Sequence, residues 1–228
     1  MIVSVIYTLF KQRRRLMKNF ETSRTVLIGV DIQNDFIDGS LAVPDGEAVV
    51  APFNRIAEAT RRIGGTVLLT RDWHPQETPH FDTSGGPWPV HCVADTDGAA
   101  FHPDLVVAPH DIIVSKGMGQ TDGYSGWEGI AQDEQTIETV VTPTTQAEKV
   151  RVFIGGLATD YCVKATAIDV ARVFATNERV TTYLLRDAVR GVEVTTGDTA
   201  RALQEITDAG VIQLTSTEAI EMIEGGQS

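Results

Sequence analysis

Short apolar runs rich in β-branched residues punctuate the chain: TVLIGV (25–30), TVLLT (66–70), DIIV (111–114), VRVFIGG (150–156), VTTYLL (180–185) and VIQL (211–214). Several are apolar at consecutive positions, the pattern of strands covered on both faces, as in a parallel sheet. Helical spacing fills most of the intervals. Val50, Phe53, Ile56, Ala57 and Ile63 lie near one stripe of Glu47–Ile63, which Gly64-Gly65 then stops. Val163, Ala167, Val170 and Phe174 form a second stripe after Cys162, and Glu193–Ala209 ends at Gly210 in the same manner. Segment 134–149 is a weaker helical pattern because Pro143 interrupts it. Strands alternating with helices mean βαβ units. The expected fold is a single-domain, doubly wound α/β fold with a mostly parallel six-stranded sheet and helices on both faces.

A length of 228 residues suits one such domain. Lys and Arg total 19 against 31 Asp and Glu, a net charge of −12 that argues against nucleic acid or anionic membrane as partner. Two cysteines make no disulfide framework, so a cytoplasmic enzyme is expected. Residues 1–21 read as a loose N-terminal extension before a domain at 22–225. MIVSVIYTLF is too short to span a bilayer, and KQRRR follows it, the reverse of a secretory signal. A weak interfacial anchor is the alternative reading, and Met17 is a second candidate start.

In open α/β sheets ligands bind beyond the carboxyl ends of the strands. Four predicted strands run there into reactive side chains: Asp31, Asp72, Lys116 and, past GGLATDY, Cys162. Cys162 falls in the first turn of a predicted helix, where unpaired N–H groups lower a thiol pKa. A buried small hydrophobe and a nucleophile both fit that position. Asp31 suits a partly desolvated general base, or the cap of the next turn, and Asp35 suits the turn role better. Lys116 would stabilise negative charge on Asp31 or Cys162, although alone it reads as a solvated strand end. Asp187 after TTYLLR is assigned a turn or cap.

Segment 73–110 is too long for a plain connection and carries two tryptophan-containing motifs. Asp72 and His74, two apart in an extended chain, project to one face, and His80 and His91 add imidazoles. One carboxylate with two or three histidines is a ligand set for zinc, iron or manganese with open positions. Cys92 reads as packed. Tyr124 and Trp127, with Phe36 and Trp88, would wall a flat substrate or else fill core.

These motifs together resemble the nicotinamidase/pyrazinamidase branch of the isochorismatase-like cysteine hydrolases. VDIQNDF, TRDWHP, WPVHC, GAAFHP, IVSKG, GYSGWEG and GLATDYCV occur in the family's order across roughly 25–215. The resemblance implies a catalytic Asp31, Lys116 and Cys162, and an oxyanion hole at the N–H groups of Ala158 and Cys162 beside a cis Leu157–Ala158 peptide. It implies a divalent metal, zinc first, on Asp72, His74 and His91, with His80 as a fourth ligand in some members. The substrate would be a small aromatic amide lying among Phe36, Trp88, Tyr124 and Tyr161. IDGSLAVP has one glycine where the family usually has two, and TPTT interrupts a usual helix. The runner-up is another amide or carbamoyl hydrolase with the same triad. An idle ligand-binding member and a thiol redox sensor with a Cys92–Cys162 disulfide are readings from other classes. Homo-oligomerisation stays open.

Overall fold

A computed structural model describes residues 23–120 and 123–225, so the N-terminal extension lies outside the described residues. The elements in chain order are β1 (Ser23–Val30), α1 (Asn34–Ile37), α2 (Val50–Arg62), β2 (Thr66–Asp72), β3 (Ile112–Lys116), β4 (Ile130–Ala131) and α3 (Ile137–Val141). They continue with β5 (Lys149–Leu157), α4 (Lys164–Val173), β6 (Val180–Arg190), α5 (Asp198–Asp208), β7 (Ile212–Leu214) and α6 (Ser216–Gly225). The strands form one sheet in the order β4-β3-β2-β1-β5-β6-β7. All pairings are parallel except the short β3–β4 pair.

The sheet therefore has seven strands where six were expected. The extra one is a two-residue edge strand, Ile130–Ala131, too short to leave a pattern in sequence. Chain progression runs from β1 outward through β2 and β3 to the edge strand β4, then returns to place β5 on the other side of β1. The switch point thus falls between β1 and β5, where a doubly wound sheet opens a crevice at its carboxyl edge.

Two apolar layers sandwich the sheet. Leu27 of β1 points to one layer with Phe53 and Ile56 of α2 and Ile223 of α6. Val26, Ile28 and Val30 point to the other with Val163, Val170 of α4, Ile206 of α5 and Ile137 of α3. Both sides of β1 are fully buried, which is why its sequence shows no alternation. Gly29 is small because α2 crosses there: a Cβ would stand 2.4 Å from Phe53 Cζ. Gly156 has φ 122° at an irregularity of the β5–β6 pairing, and a Cβ would stand 2.0 Å from the Val30 carbonyl oxygen. That close approach brings the end of β5 against the end of β1. Backbone atoms cannot yield as a side chain can, so Gly156→Ala should cost about 2–4 kcal/mol. An unchanged urea midpoint would refute this.

Several boundaries differ from the sequence pattern. Residues 46–49 form a 3₁₀ turn before α2. The 134–149 pattern yields only α3, capped by Thr136 and ended before Pro143. α5 starts at Asp198 rather than Glu193, because Glu193 is left-handed (φ 58°) and its carboxylate accepts the Gly197 and Thr199 N–H groups. α6 was not apparent from the pattern. Asp187 does not end its strand, since β6 continues to Arg190; its carboxylate accepts the Ser216 N–H and hydroxyl at the start of α6.

Candidate active site

Lys116, Asp72, Asp31 and Cys162 stand at the carboxyl ends of β3, β2, β1 and β5, four neighbouring strands in that order. Asp72 and Lys116 are register partners across β2 and β3. All four side chains are buried. Lys116 Nζ lies 2.9 Å from Asp31 Oδ2, 2.5 Å from Asp72 Oδ1, 3.0 Å from the Gly123 carbonyl oxygen and 3.4 Å from Cys162 Sγ. One ammonium thus neutralises part of a pair of carboxylates and touches the thiol. Burial works to discharge Lys116, but Asp31 and Asp72 outweigh it and hold its pKa well above the ordinary lysine value.

The two carboxylates diverge. Burial raises the Asp31 pKa, and Lys116 only partly opposes it. Burial also acts to raise Asp72, yet Lys116 and His74 prevail and push it below the usual carboxylate range. Asp31 is therefore the better proton acceptor of the two, and Asp72 the more permanent anion.

Cys162 does not sit in an ordinary helical first turn. Thr159–Val163 form a π-turn, with the Val163 N–H bonded to the Ala158 carbonyl at 3.1 Å, and α4 begins only at Lys164. Burial pushes the thiol well above its usual pKa, and Lys116 offsets this only in part. The thiol is thus not spontaneously ionised as a helix start would suggest; it needs a base, and an Asp31 carboxylate oxygen is within 4.8 Å. The Leu157–Ala158 peptide is cis, and Ala158 and Cys162 line one cavity.

Asp72, His74 and His91 bring ligand atoms within 4.8 Å of one another. His74 Nδ1 is 2.9 Å from the Gly117 carbonyl oxygen, and His91 Nδ1 is 2.7 Å from that of Pro89. A carbonyl only accepts, so both Nδ1 atoms carry a proton, which leaves Nε2 as the ring nitrogen available to a cation. Burial keeps the His91 pKa low and its imidazole neutral. His74 Nε2 and Asp72 Oδ2 stand 3.7 Å apart. Ligand atoms each about 2 Å from one ion stand roughly 3–4 Å apart, so the three residues fit a divalent cation. Gly117 (φ 66°) is part of this support, since a Cβ would lie 2.6 Å from His74 Cε1. His80 lines the same cavity but does not join the three-residue cluster.

This small, mostly apolar cavity is lined by Phe36, Leu41, Asp72, His74, His80, Trp88, His91, Tyr124, Ala158, Tyr161, Cys162 and Val192. Trp88 donates its indole N–H to the Tyr124 hydroxyl at 2.9 Å and meets the Tyr161 ring edge-on at 4.9 Å. Phe36 stands beside His91 at 5.6 Å. Trp127 is not in this wall; it packs edge-on against Phe174, just past α4, at 6.2 Å. Cys92 is buried as expected but left-handed (φ 46°) rather than extended, and it belongs to the core layer opposite that of Cys162. Both cysteines are free thiols.

Sequence reasoning missed several supports. Gln33 bonds the Asp72 backbone N–H through Oε1 and the Asp72 and Ala99 carbonyls through Nε2. Asp35 accepts the Cys92 N–H and so anchors the residue after His91. Asp160 accepts the Val192 and Glu193 N–H groups, tying the cavity wall to the Cys162 turn. Of these, only the polar cluster QND after β1 left a visible signal.

A doubly wound sheet with a buried thiol, carboxylate and ammonium at its carboxyl edge places the protein among open-sheet α/β enzymes with a cysteine-centred site. Residues 25–218 match the Isochorismatase domain model, and the chain belongs to the isochorismatase family, in its nicotinamidase/pyrazinamidase branch. The nicotinamidase/pyrazinamidase of Mycobacterium tuberculosis is 38% identical over 192 residues, covering 81% of this chain and 95% of its own. The nicotinamidase of Escherichia coli is 31% identical over 202 residues, covering 81% and 91%. The pyrazinamidase of Pyrococcus horikoshii in complex with zinc superposes with a TM-score of 0.70 at 36% identity, over 84% of this chain and 99% of that one. Among the described residues, no helix is long and apolar enough to cross a membrane.

Proposed function

We propose that this enzyme is a nicotinamidase, hydrolysing nicotinamide and pyrazinamide-like amides to the acid and ammonia. The observation that carries the reading is the meeting of two sets: Cys162, Asp72, His74 and His91 line one cavity, and Lys116 behind it joins Cys162 and Asp72 to Asp31. A carbamoyl hydrolase needs the first set, whereas the second suits a pyridine-like ring nitrogen.

Asp31 takes the Cys162 proton, and the sulfur attacks the carboxamide carbon. Lys116 stabilises the charge held by this pair throughout. The N–H groups of Ala158 and Cys162 hold the oxyanion of the tetrahedral adduct. Asp31 returns the proton to the leaving nitrogen, so ammonia departs and a thioester to Cys162 remains. A water molecule, its proton taken by Asp31, attacks the thioester; the acid leaves and the thiol is restored. Trp88, Tyr124, Tyr161 and Phe36 hold the ring and keep bulk water out. Asp72, His74 and His91, with His80 lining the same cavity, would hold a zinc-class cation that supplies a Lewis-acidic position for the ring nitrogen.

The test is ammonia release from nicotinamide before and after chelation. The expected result is turnover that falls about tenfold or more on metal removal and returns with zinc. Ammonia from ureido or carbamoyl substrates with none from nicotinamide would overturn the reading. Full activity of demonstrably metal-free protein would remove the metal from it.

A further inference from the structure

Thr70 closes the run TVLLT two residues before the end of β2, and its side chain is completely buried. A buried hydroxyl is costly unless it is bonded. Thr70 Oγ1 donates to Asp31 Oδ1 at 2.6 Å, and the Thr70 carbonyl accepts the Asp31 N–H at 3.2 Å. The methyl group is fixed as well: a Cβ on Gly126 would stand 2.7 Å from Thr70 Cγ2, so the Gly126 backbone abuts it. Methyl against Gly126 and hydroxyl against Asp31 leave the side chain one rotamer.

The two oxygens of Asp31 are thereby made different. Oδ1 is held by Thr70. Oδ2 instead faces the Lys116 ammonium, 2.9 Å from its Nζ. The same Nζ touches Cys162 Sγ at 3.4 Å, so Oδ2 and the thiol share one ammonium, whereas Oδ1 is taken by Thr70.

Resting on the nicotinamidase reading, we propose that Thr70 is a positioning residue for the base. By occupying Oδ1 it aims Oδ2 at Cys162 and makes Oδ2 the atom that takes the proton. The Sγ–H bond breaks, an Oδ2–H bond forms, and that proton later passes to the leaving ammonia. Thr70 does not line the cavity, so it acts through Asp31 and not on the substrate.

Thr70→Val keeps the shape and removes the donor, while Thr70→Ser keeps the donor. A hydrogen bond to a charged group is worth about ten- to hundredfold, so Thr70→Val should lower kcat by that factor with KM within about twofold. Thr70→Ser should stay near the parent. If Thr70→Val does not fold, Thr70→Ala against Thr70→Ser makes the same comparison. Alkylation of Cys162 by iodoacetamide should slow in the same order, which reads proton removal without any amide substrate. Three results would each overturn the proposal: kcat unchanged in Thr70→Val, Val and Ser variants impaired alike, or KM rising in step with the loss of kcat. A parent enzyme inert toward nicotinamide would fail the nicotinamidase reading instead, and the alkylation series would still decide the role of Thr70.

Discussion

Cys162→Ala is expected to lower kcat for nicotinamide by about 10⁴-fold or more, because no other group can form the thioester. Asp31 would remain beside the cavity and could activate water, but without the covalent step the amide must be cleaved directly. The substitution removes one buried sulfur from a site lined by the cavity on one side, so folding should survive. Circular dichroism and urea unfolding check this. A residual rate within about a hundredfold of the parent, from a folded protein, would show that the thiol is not the nucleophile.

Lys116→Met should show the largest loss of stability. Lys116 is 1% exposed and faces Asp31 and Asp72, with its third bond to the Gly123 carbonyl. Methionine fills similar volume but leaves two carboxylates buried close together without a cation. Removing one partner of a buried ion pair costs about 3–5 kcal/mol, and here one lysine serves two acids. Urea unfolding reads the loss as a lower midpoint. Activity should fall with it, since loss of the Lys116 charge would push the Asp31 pKa further up and leave less of it ionised to act as the base. A midpoint equal to the parent's would mean that Lys116 does not hold the two carboxylates in the folded protein.

Much of this arrangement could be read from the chain because it obeys short-range rules. Consecutive apolar, mostly branched residues in TVLIGV and TVLLT require strands covered on both faces, and Gly64-Gly65 and Gly210 mark where helices stop. Once those strands are parallel, Asp31, Asp72, Lys116 and Cys162 must share one edge. Asp72 and His74 share a face by the two-residue period alone. What escaped depends on contacts between distant residues. β4 exists because Ile130 and Ala131 find Ser115 and Val114, not because two residues carry a strand pattern. The π-turn around Cys162 and the left-handed Glu193 are set by tertiary bonds that outweigh local propensity. Trp127 and Trp88 look alike in sequence, and only packing sends one to Phe174 and the other to the cavity. The elevation of the Cys162 pKa was also hidden, because burial outweighs the helix start that the sequence displays.

The central claim is that the buried thiol of Cys162 performs the chemistry in a cavity that holds an aromatic acid or amide. Its most direct test is to follow iodoacetamide modification of each cysteine by mass spectrometry while nicotinamide turnover is measured. The predicted result is activity lost in proportion to Cys162 alkylation, slowed by nicotinate, with Cys92 untouched in the folded protein. Full alkylation of Cys162 with turnover retained, or inactivation that tracks Cys92, would contradict the account.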